Sequence, residues 1–168
     1  MNALQSLTDL FRRYITDAAS LDVWAEDGAV FSAQGVWVDG FELEYTVIIF
    51  MQNVHVAPQT VMMHLVSWMR KYDPDRLEKG LAFPTFAAEV LDGGCCDIKI
   101  RMDLRESYSL EQSHNGDWKQ GEARYDCVSD FEPVVDPDLL GELVHFVGHT
   151  DDLPERADAQ AEKFNGNI

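Results

Sequence analysis

Apolar side chains recur every three or four residues in two segments, which is the spacing of an amphipathic helix. The first predicted helix spans residues 3–19, and Asn2 followed by Gln5 resembles a capping box at its start. The second begins at Pro58, which suits a first helical turn, and stops at Asp73-Pro74. We expect both stripes to pack in the core, and the methionine-rich second stripe to be core rather than a binding groove. The stripe positions are Leu4, Leu7, Leu10, Phe11, Tyr14, Ile15 and Ala18 in the first helix, and Val61, Met62, Leu65, Trp68, Met69 and Tyr72 in the second.

Strands are predicted where apolar and polar residues alternate. Residues 29–51 predict a hairpin with a two-residue Asp39-Gly40 turn, which places Val38 opposite Phe41. The second strand of this hairpin begins with acidic residues on one face and becomes apolar on both, so we expect it to end covered on both sides. Residues 81–91 predict an edge strand or a bend because they contain Pro84.

The clearest alternation lies in residues 96–105, where every second residue is apolar and the others are charged. This strict period of two predicts a half-buried strand. Asn115-Gly116 is a further turn signal, followed by a predicted strand from Trp118 to about Val128. The charged positions of the alternating segment are Asp97, Lys99, Arg101, Asp103 and Arg105.

These elements predict an α+β domain over residues 1–130, with a mostly antiparallel sheet of about five strands and two amphipathic helices packed on one face. Residues 131–168 differ in composition, because they form an acidic stretch that is interrupted by prolines and contains one compact apolar cluster. We interpret this segment as an acidic C-terminal arm that orders by docking against a neighbour. The cluster contains Leu139, Leu140, Leu143, Val144, Phe146 and Val147.

The charge of the chain narrows its function. Thirty acidic against 13 basic side chains give a net charge of −17, which disfavours direct binding of nucleic acid phosphates. The N-terminal segment does not resemble a signal peptide, and no apolar run is long enough for a membrane span. The same charge is compatible with an acidic inhibitor or DNA mimic that occupies the nucleic-acid site of a basic protein, although the acids are not arrayed in long exposed rows.

No motif predicts catalysis, a cofactor or a metal. His145 and His149 lack the glutamate that a zinc-protease pattern requires after the first histidine. Cys95, Cys96 and Cys127 lack zinc-site spacing, also with His114, and favour free thiols that fill the core. The acidic residues after the second helix (Asp73, Asp75 and Glu78) do not have EF-hand spacing and are interpreted as solvated charges at a helix stop.

Four colinear segments resemble the tail completion protein R family of contractile-tailed phages. They are FELEYTVIIF, MMHLVSWMRKYDPD, FAAEVL and CDIKIRMDLRE, and the resemblance covers roughly residues 3–130. Each segment is a structural pattern, and their order along the chain carries the specificity. The chain departs from the family at Phe50 and Met51, which replace a more polar strand end, and in its longer C-terminal segment. The matching positions are Phe41, Glu42, Tyr45 and Thr46; Leu65, Trp68, Met69, Arg70 and Pro74; Ala88, Glu89, Val90 and Leu91; and Asp97 through Arg105 and Glu106.

The resemblance implies a non-enzymatic, tail-terminator-like structural subunit. Such a protein completes a contractile tail at its head-proximal end in the neck of the virion, is assembled in the bacterial host cytoplasm, and helps to join tail to head. The implied partners are further copies in a ring, a hexamer by the resemblance, together with tail tube, sheath and neck or head-completion proteins, with DNA only as cargo in the lumen. Candidate contact residues are the five charged positions of residues 97–105, and Leu139, Leu140, Leu143 and Phe146 in the arm.

Overall fold

The computed structural model of the chain describes residues 1–14, 20–33 and 35–132, and these ranges form an α+β fold, as predicted. The helices are α1 (Asn2–Tyr14) and α2 (Pro58–Tyr72). The strands are β1 (Leu21–Phe31), β2 (Gly40–Val54), β3 (Thr85–Val90), β4 (Cys96–Gln112), β5 (Trp118–Gln120) and β6 (Ala123–Ser129). A short 3-10 turn, Asp92–Gly94, joins β3 to β4.

The six described strands form one antiparallel sheet around the 17-residue strand β4. β2 pairs with one side of β4, and β1 pairs with the outer side of β2. The other side of β4 is shared, since β3 pairs with its first part and β6 with its last part. β5 pairs with β6. β1, β3 and β5 therefore lie at the sheet edges, and the edge position predicted for the segment that contains Pro84 is confirmed.

Both helices pack on one face of the sheet, which we call the covered face. Leu7 and Phe11 of α1 and Leu65 and Trp68 of α2 are buried in the same cluster as alternate residues of β2 and β4. The indole N–H of Trp68 donates to the hydroxyl of Ser6 at 3.0 Å, which ties the two helices together. The core role is confirmed for Leu4, Leu7, Leu10 and Phe11 of the first stripe and for the second stripe, in which Met62, Met69 and Tyr72 are partly buried. The side chain of Tyr14 and positions 15–19 lie outside the described part of the first predicted helix.

The start of α1 differs from the predicted local capping box. The helix already begins at Asn2, and the backbone N–H groups of Asn2 and Ala3 donate to Oε2 of Glu106, at 2.8 and 3.2 Å. Gln5 donates its side-chain amide to Asp9. A carboxylate from β4, 104 positions away in sequence, therefore satisfies the first helical N–H groups, and its negative charge lies at the favourable end of the helix dipole.

The predicted Asp39-Gly40 turn is wrong, although a hairpin does join this region. β1 is longer and begins earlier than expected, and Phe31 lies opposite Glu42, so residues 32–39 connect the strands. Gly40 serves a close approach to β4, because a Cβ at this position would lie 2.3 Å from the carbonyl oxygen of Tyr108. Val36 and Val38 are consequently exposed and not paired across a turn.

The C-terminal part of the sheet also departs from prediction. The segment from Trp118 to Val128 is two strands and not one, since Gly121, with a φ of 64°, turns the chain between β5 and β6. β6 returns to pair with β4, so Asn115-Gly116 does not join hydrogen-bonded neighbours. A left-handed glycine reverses the chain at this point in a way that the apolar pattern does not reveal.

Asp73 is not a solvated charge, contrary to the prediction. Its carboxylate is buried and accepts from Arg76 and Lys79, both at 2.8 Å. Arg76 is itself buried and also donates to the carbonyl oxygen of Ala82. These contacts tie the turn after α2 to the segment that leads into β3, which is why a charged residue can be buried at this position.

Candidate assembly surfaces

The five charged residues predicted as a contact surface lie on the sheet face opposite the helices, which we call the open face. Their apolar neighbours in β4 (Ile98, Ile100 and Met102) are buried on the covered face. The predicted alternation of residues 96–105 is therefore confirmed. Their role in assembly stays a prediction.

The two arginines of the open face are paired within the chain. Arg101 donates to Asp27 at 2.9 Å and lies 3.5 Å from Glu26, and Asp27 raises the pKa of the guanidinium. Arg105 pairs with Glu44, and its Nε lies 3.7 Å from Glu42. Because these acids come from β1 and β2, the pairs cross the sheet from strand to strand. Such exposed pairs stabilise a fold only weakly.

The two aspartates of this set have structural contacts. Asp97 accepts the backbone N–H of Asn53 at 2.7 Å, at the point where the register of β2 shifts and Asn53 takes a φ of 51°. Asp103 accepts from the buried hydroxyl of Thr46 at 2.7 Å. Within the described ranges, Lys99 has no ion pair. The basic groups of the open face are thus largely compensated inside the chain, and the surface as a whole is acidic.

A second surface, not predicted from the sequence, is formed by the end of β1 and the apolar connection from β1 to β2. Val36 is 91% and Trp37 57% exposed, and Val30, Phe31 and Val38 are exposed as well. We call residues 30–38 the apolar loop. The signal in the sequence is that residues 28–38 carry no charged side chain in a chain of net charge −17.

The apolar loop is held in place at its base. The side-chain amide of Gln120 accepts from the backbone N–H of Val38 at 2.9 Å and reaches its carbonyl oxygen at 3.5 Å. The N–H of Leu110 donates to the carbonyl oxygen of Asp39 at 3.1 Å. The ring of Trp37 lies against Gly121, where a Cβ would be 3.5 Å from the ring edge. These contacts present exposed aromatic and aliphatic side chains from an anchored backbone.

On the covered face, Glu106 joins the sheet to α1. Besides the two N–H groups of α1, its carboxylate accepts from the hydroxyls of Tyr45 and Tyr108. Burial raises the pKa of both tyrosines, and the negative charge of Glu106 adds to the effect, bringing the pKa of Tyr108 to about 12. Four donors on one buried carboxylate make this a structural node and not a reactive site.

The described residues contain no group of three or more His, Cys, Asp or Glu side chains arranged to hold a metal ion. Cys95, Cys96 and Cys127 are free thiols; Cys95 and Cys96 are buried, whereas Cys127 is exposed, so the core position predicted for Cys127 is wrong. His145, His149 and the predicted contact residues Leu139, Leu140, Leu143 and Phe146 lie outside the described residues. No helix in the part of the chain that the structure describes is long and apolar enough to cross a membrane.

Comparison with known proteins places the chain in a family. No curated protein and no solved structure matches it. A family model, P2 phage tail completion protein R (GpR), matches residues 1–126, which include both helices and nearly all of the sheet. The chain therefore belongs to the P2 phage tail completion protein R family, a family of structural tail proteins.

Proposed function

We propose that this protein completes the phage tail at its head-proximal end, as a subunit of a closed ring that stops the growing tube and helps to join tail to head. The observation that carries the proposal is the family match over residues 1–126. The protein works through surfaces and not through catalysis, and it uses no cofactor. Its partners are further copies of itself, the tail tube and sheath proteins, and neck or head-completion proteins.

A closed ring is expected because the protein has to end the growth of the tail tube. Contacts between different surfaces of identical subunits either close into a ring or grow without limit, and a protein that ends a tube needs the closed form. Each subunit carries a charge of −17, so like-charge repulsion opposes closure in dilute solution. The end of the tail tube then serves as the template on which the ring forms.

The open face suits the lumen of such a ring better than a seam between subunits. Arg101 and Arg105 already have carboxylate partners in their own chain, so they contribute little net attraction to a neighbour. An acidic wall repels the phosphates of DNA that passes through the ring, and duplex DNA carries one negative charge per ~1.7 Å. DNA is thus cargo and not a bound ligand.

The apolar loop suits a protein contact. The centres of protein interfaces are depleted in charged residues and enriched in aromatic ones. Trp37 offers a large anchor, and Gln120 restrains the backbone beside it, so little conformational entropy is lost on binding. We assign this loop to a contact with an adjacent tail subunit.

Complementation of a phage that lacks this gene tests the proposal. Val36→Asp with Trp37→Asp keeps the monomer folded but produces tails of abnormal length or tails without heads, scored by electron microscopy. Leu77→Asp with Phe83→Asp is the matched control, because it places the same two charges on exposed apolar residues of the segment after α2. Normal head-joined tails from the loop variant, at the frequency of the control, would contradict the role of the loop. Normal tails from a strain with no copy of the gene would contradict tail completion itself.

Salt dependence tests the assignment of the open face. Raising salt from 0.1 to 1 M shortens the Debye length from ~10 to ~3 Å. If the open face lines the lumen, salt screens repulsion and promotes rings in light scattering, and Arg101→Glu with Arg105→Glu leaves head-joined tails intact. If Lys99, Arg101 and Arg105 instead form the subunit seam, salt dissolves the rings and the double variant fails to complement.

A further inference from the structure

A groove lies between the outer side of α2 and the edge strand β3. Its volume is about 650 Å³, and its lining is mainly apolar. Met62, Met63 and Val66 of α2 form one wall and Phe86 of β3 contributes to the other, with Arg70 toward the C-terminal end of the helix. Met63, Val66 and Phe86 are all exposed, so the groove presents apolar surface that nothing in the described chain covers.

The strand beside the groove has an unprotected edge. All six residues of β3 are exposed, its pairing with β4 has no register shift, and Glu89 is its only charged residue. β1, at the opposite edge, has a register shift after Glu26 and a left-handed residue at Asp27, features that discourage further pairing. The chain protects one edge and leaves the other bare next to an apolar groove, and this difference indicates that something covers the second edge.

The described chain ends beside the C-terminal end of α2, on the side of the helix that faces the core. Phe131 stacks on Tyr72 with ring centroids 4.9 Å apart, and its centroid lies 6.0 Å from that of Trp68. Both contacts are near the C-terminal end of α2, within one turn of Arg70. Residues 133–168, the part of the arm beyond the described chain, therefore leave the domain beside the helix that forms one wall of the groove.

Length and charge both fit the arm to the groove. Residues 133–138 span up to about 20 Å when extended, which is enough to bring Leu139 round the C-terminal end of α2, and the residues that follow Leu139 can continue along this helix of about 22 Å. Residues 133–168 contain eight acidic and two basic side chains, with Asp136 and Asp138 directly before the apolar cluster. Arg70 and Lys71 lie at the end of α2 from which the arm approaches.

We propose that residues 139–147 of the arm dock into the α2–β3 groove of their own chain, with the leucines and Phe146 in the groove and the preceding aspartates near Arg70 and Lys71. The occupant is thus a segment of this chain and not a separate ligand. This inference is independent of the role in tail completion, since it depends only on contacts within one subunit.

Methionine oxidation of the full-length protein tests the docking. Met63 and Met1 are similarly exposed, at 56% and 44%, but only Met63 lines the groove, whereas Met51 and Met102 are buried internal references. With dilute hydrogen peroxide and peptide mass spectrometry, docking makes Met63 oxidise several-fold more slowly than Met1. Leu140→Asp with Leu143→Asp removes this protection, while Ala159→Asp, which adds charge elsewhere in the arm, retains it.

Two outcomes would overturn the proposal. Equal oxidation of Met63 in the wild type and in the double variant means that the cluster does not cover the groove. Protection of Met63 that disappears on dilution, in parallel with a fall in mass by light scattering, assigns the groove to the arm of a second copy and not to its own.

A reciprocal change in the groove keeps the test independent of the arm substitutions. Val66→Asp places a charge in the groove at an exposed position, and it should speed chymotrypsin cleavage near Leu140 and Phe146 several-fold in the full-length protein. Leu77→Asp is the control, because Leu77 is exposed but does not line the groove. Equal cleavage of the two variants at the wild-type rate would also refute docking.

Discussion

The two faces of the sheet differ in how their charged side chains are placed and paired. The covered face is apolar except for a few buried polar groups, and one of these, Glu106, is saturated by four donors from α1, β2 and β4. The open face carries many charges, and its arginines form exposed pairs with acids of neighbouring strands. The number of charged side chains on a face is therefore a poor measure of how much that face stabilises the fold. The single buried carboxylate holds a helix in place, whereas the exposed pairs set the charge that the surface presents to a neighbour.

The largest expected effect comes from a tryptophan of the covered face. Trp68→Ala removes a buried ring that packs on Tyr72 and Phe131 and donates to Ser6, so it should cost ~3–5 kcal/mol of unfolding free energy in urea. Trp24→Ala is the matched change on the open face, where the ring is 36% exposed. Asp158→Ala in the arm should stay within about 0.5 kcal/mol. Equal urea midpoints for Trp68→Ala and Trp24→Ala would contradict the comparison.

A smaller loss is expected from the buried carboxylate. Glu106→Gln replaces an acceptor by an amide that turns a donor toward the N–H groups of α1 or toward a tyrosine hydroxyl, at a cost of about 1–3 kcal/mol. The same change on the open face, Glu44→Gln, removes only one exposed ion pair. Urea unfolding followed by circular dichroism measures both. A Glu106→Gln variant as stable as Glu44→Gln would show that the node does not hold α1.

The buried His64 should make the stability of the fold depend on pH. Burial in α2 lowers the pKa of His64 below the ordinary value of 6.5, so the folded state favours the neutral ring. As pH falls below about 6.5, the unfolded chain binds this proton first, and the stability that the neutral ring contributes is lost down to the lower folded pKa. His64→Gln should therefore flatten the fall in melting temperature between pH 7 and 5.5 relative to the wild type. Parallel curves of melting temperature against pH for the wild type and His64→Gln would contradict this role of His64.

The smallest effect is expected on the open face. Arg105→Gln breaks the contacts with Glu42 and Glu44, and exposed pairs of this kind contribute ~0–1 kcal/mol. The difference from the wild type should shrink further at 1 M salt, because screening weakens exposed pairs. Thermal melts at 0.1 and 1 M salt measure it. A loss of stability as large as that of Glu106→Gln would mean that the ion pairs of the open face form a network that stabilises the fold.

Periodicity was a sound guide where one side of an element faces the core. The stripes of both helices and the alternation of residues 96–105 were predictable, because burial on one side imposes a fixed spacing. The prediction failed where a position depends on a distant strand. The Asp39-Gly40 signal pointed to a tight turn, yet Gly40 is needed for its approach to Tyr108. The apolar pattern therefore predicts a strand where the fold has the exposed apolar loop.

The α+β class, the core positions of both helices, the half-buried strand and the family were predictable from the amino-acid sequence. Each of these depends on the spacing of apolar residues or on the order of segments, and both can be read along the sequence. The fold was needed to show that Glu106 caps α1, that the open-face arginines pair across the sheet, that Asp73 is buried, and that α2 and β3 enclose a groove. Most of these features join residues that are distant in sequence. The others depend on the path that the chain takes through a turn. Hydrogen bonds and ion pairs act at about 3 Å, and folding alone brings such groups that close.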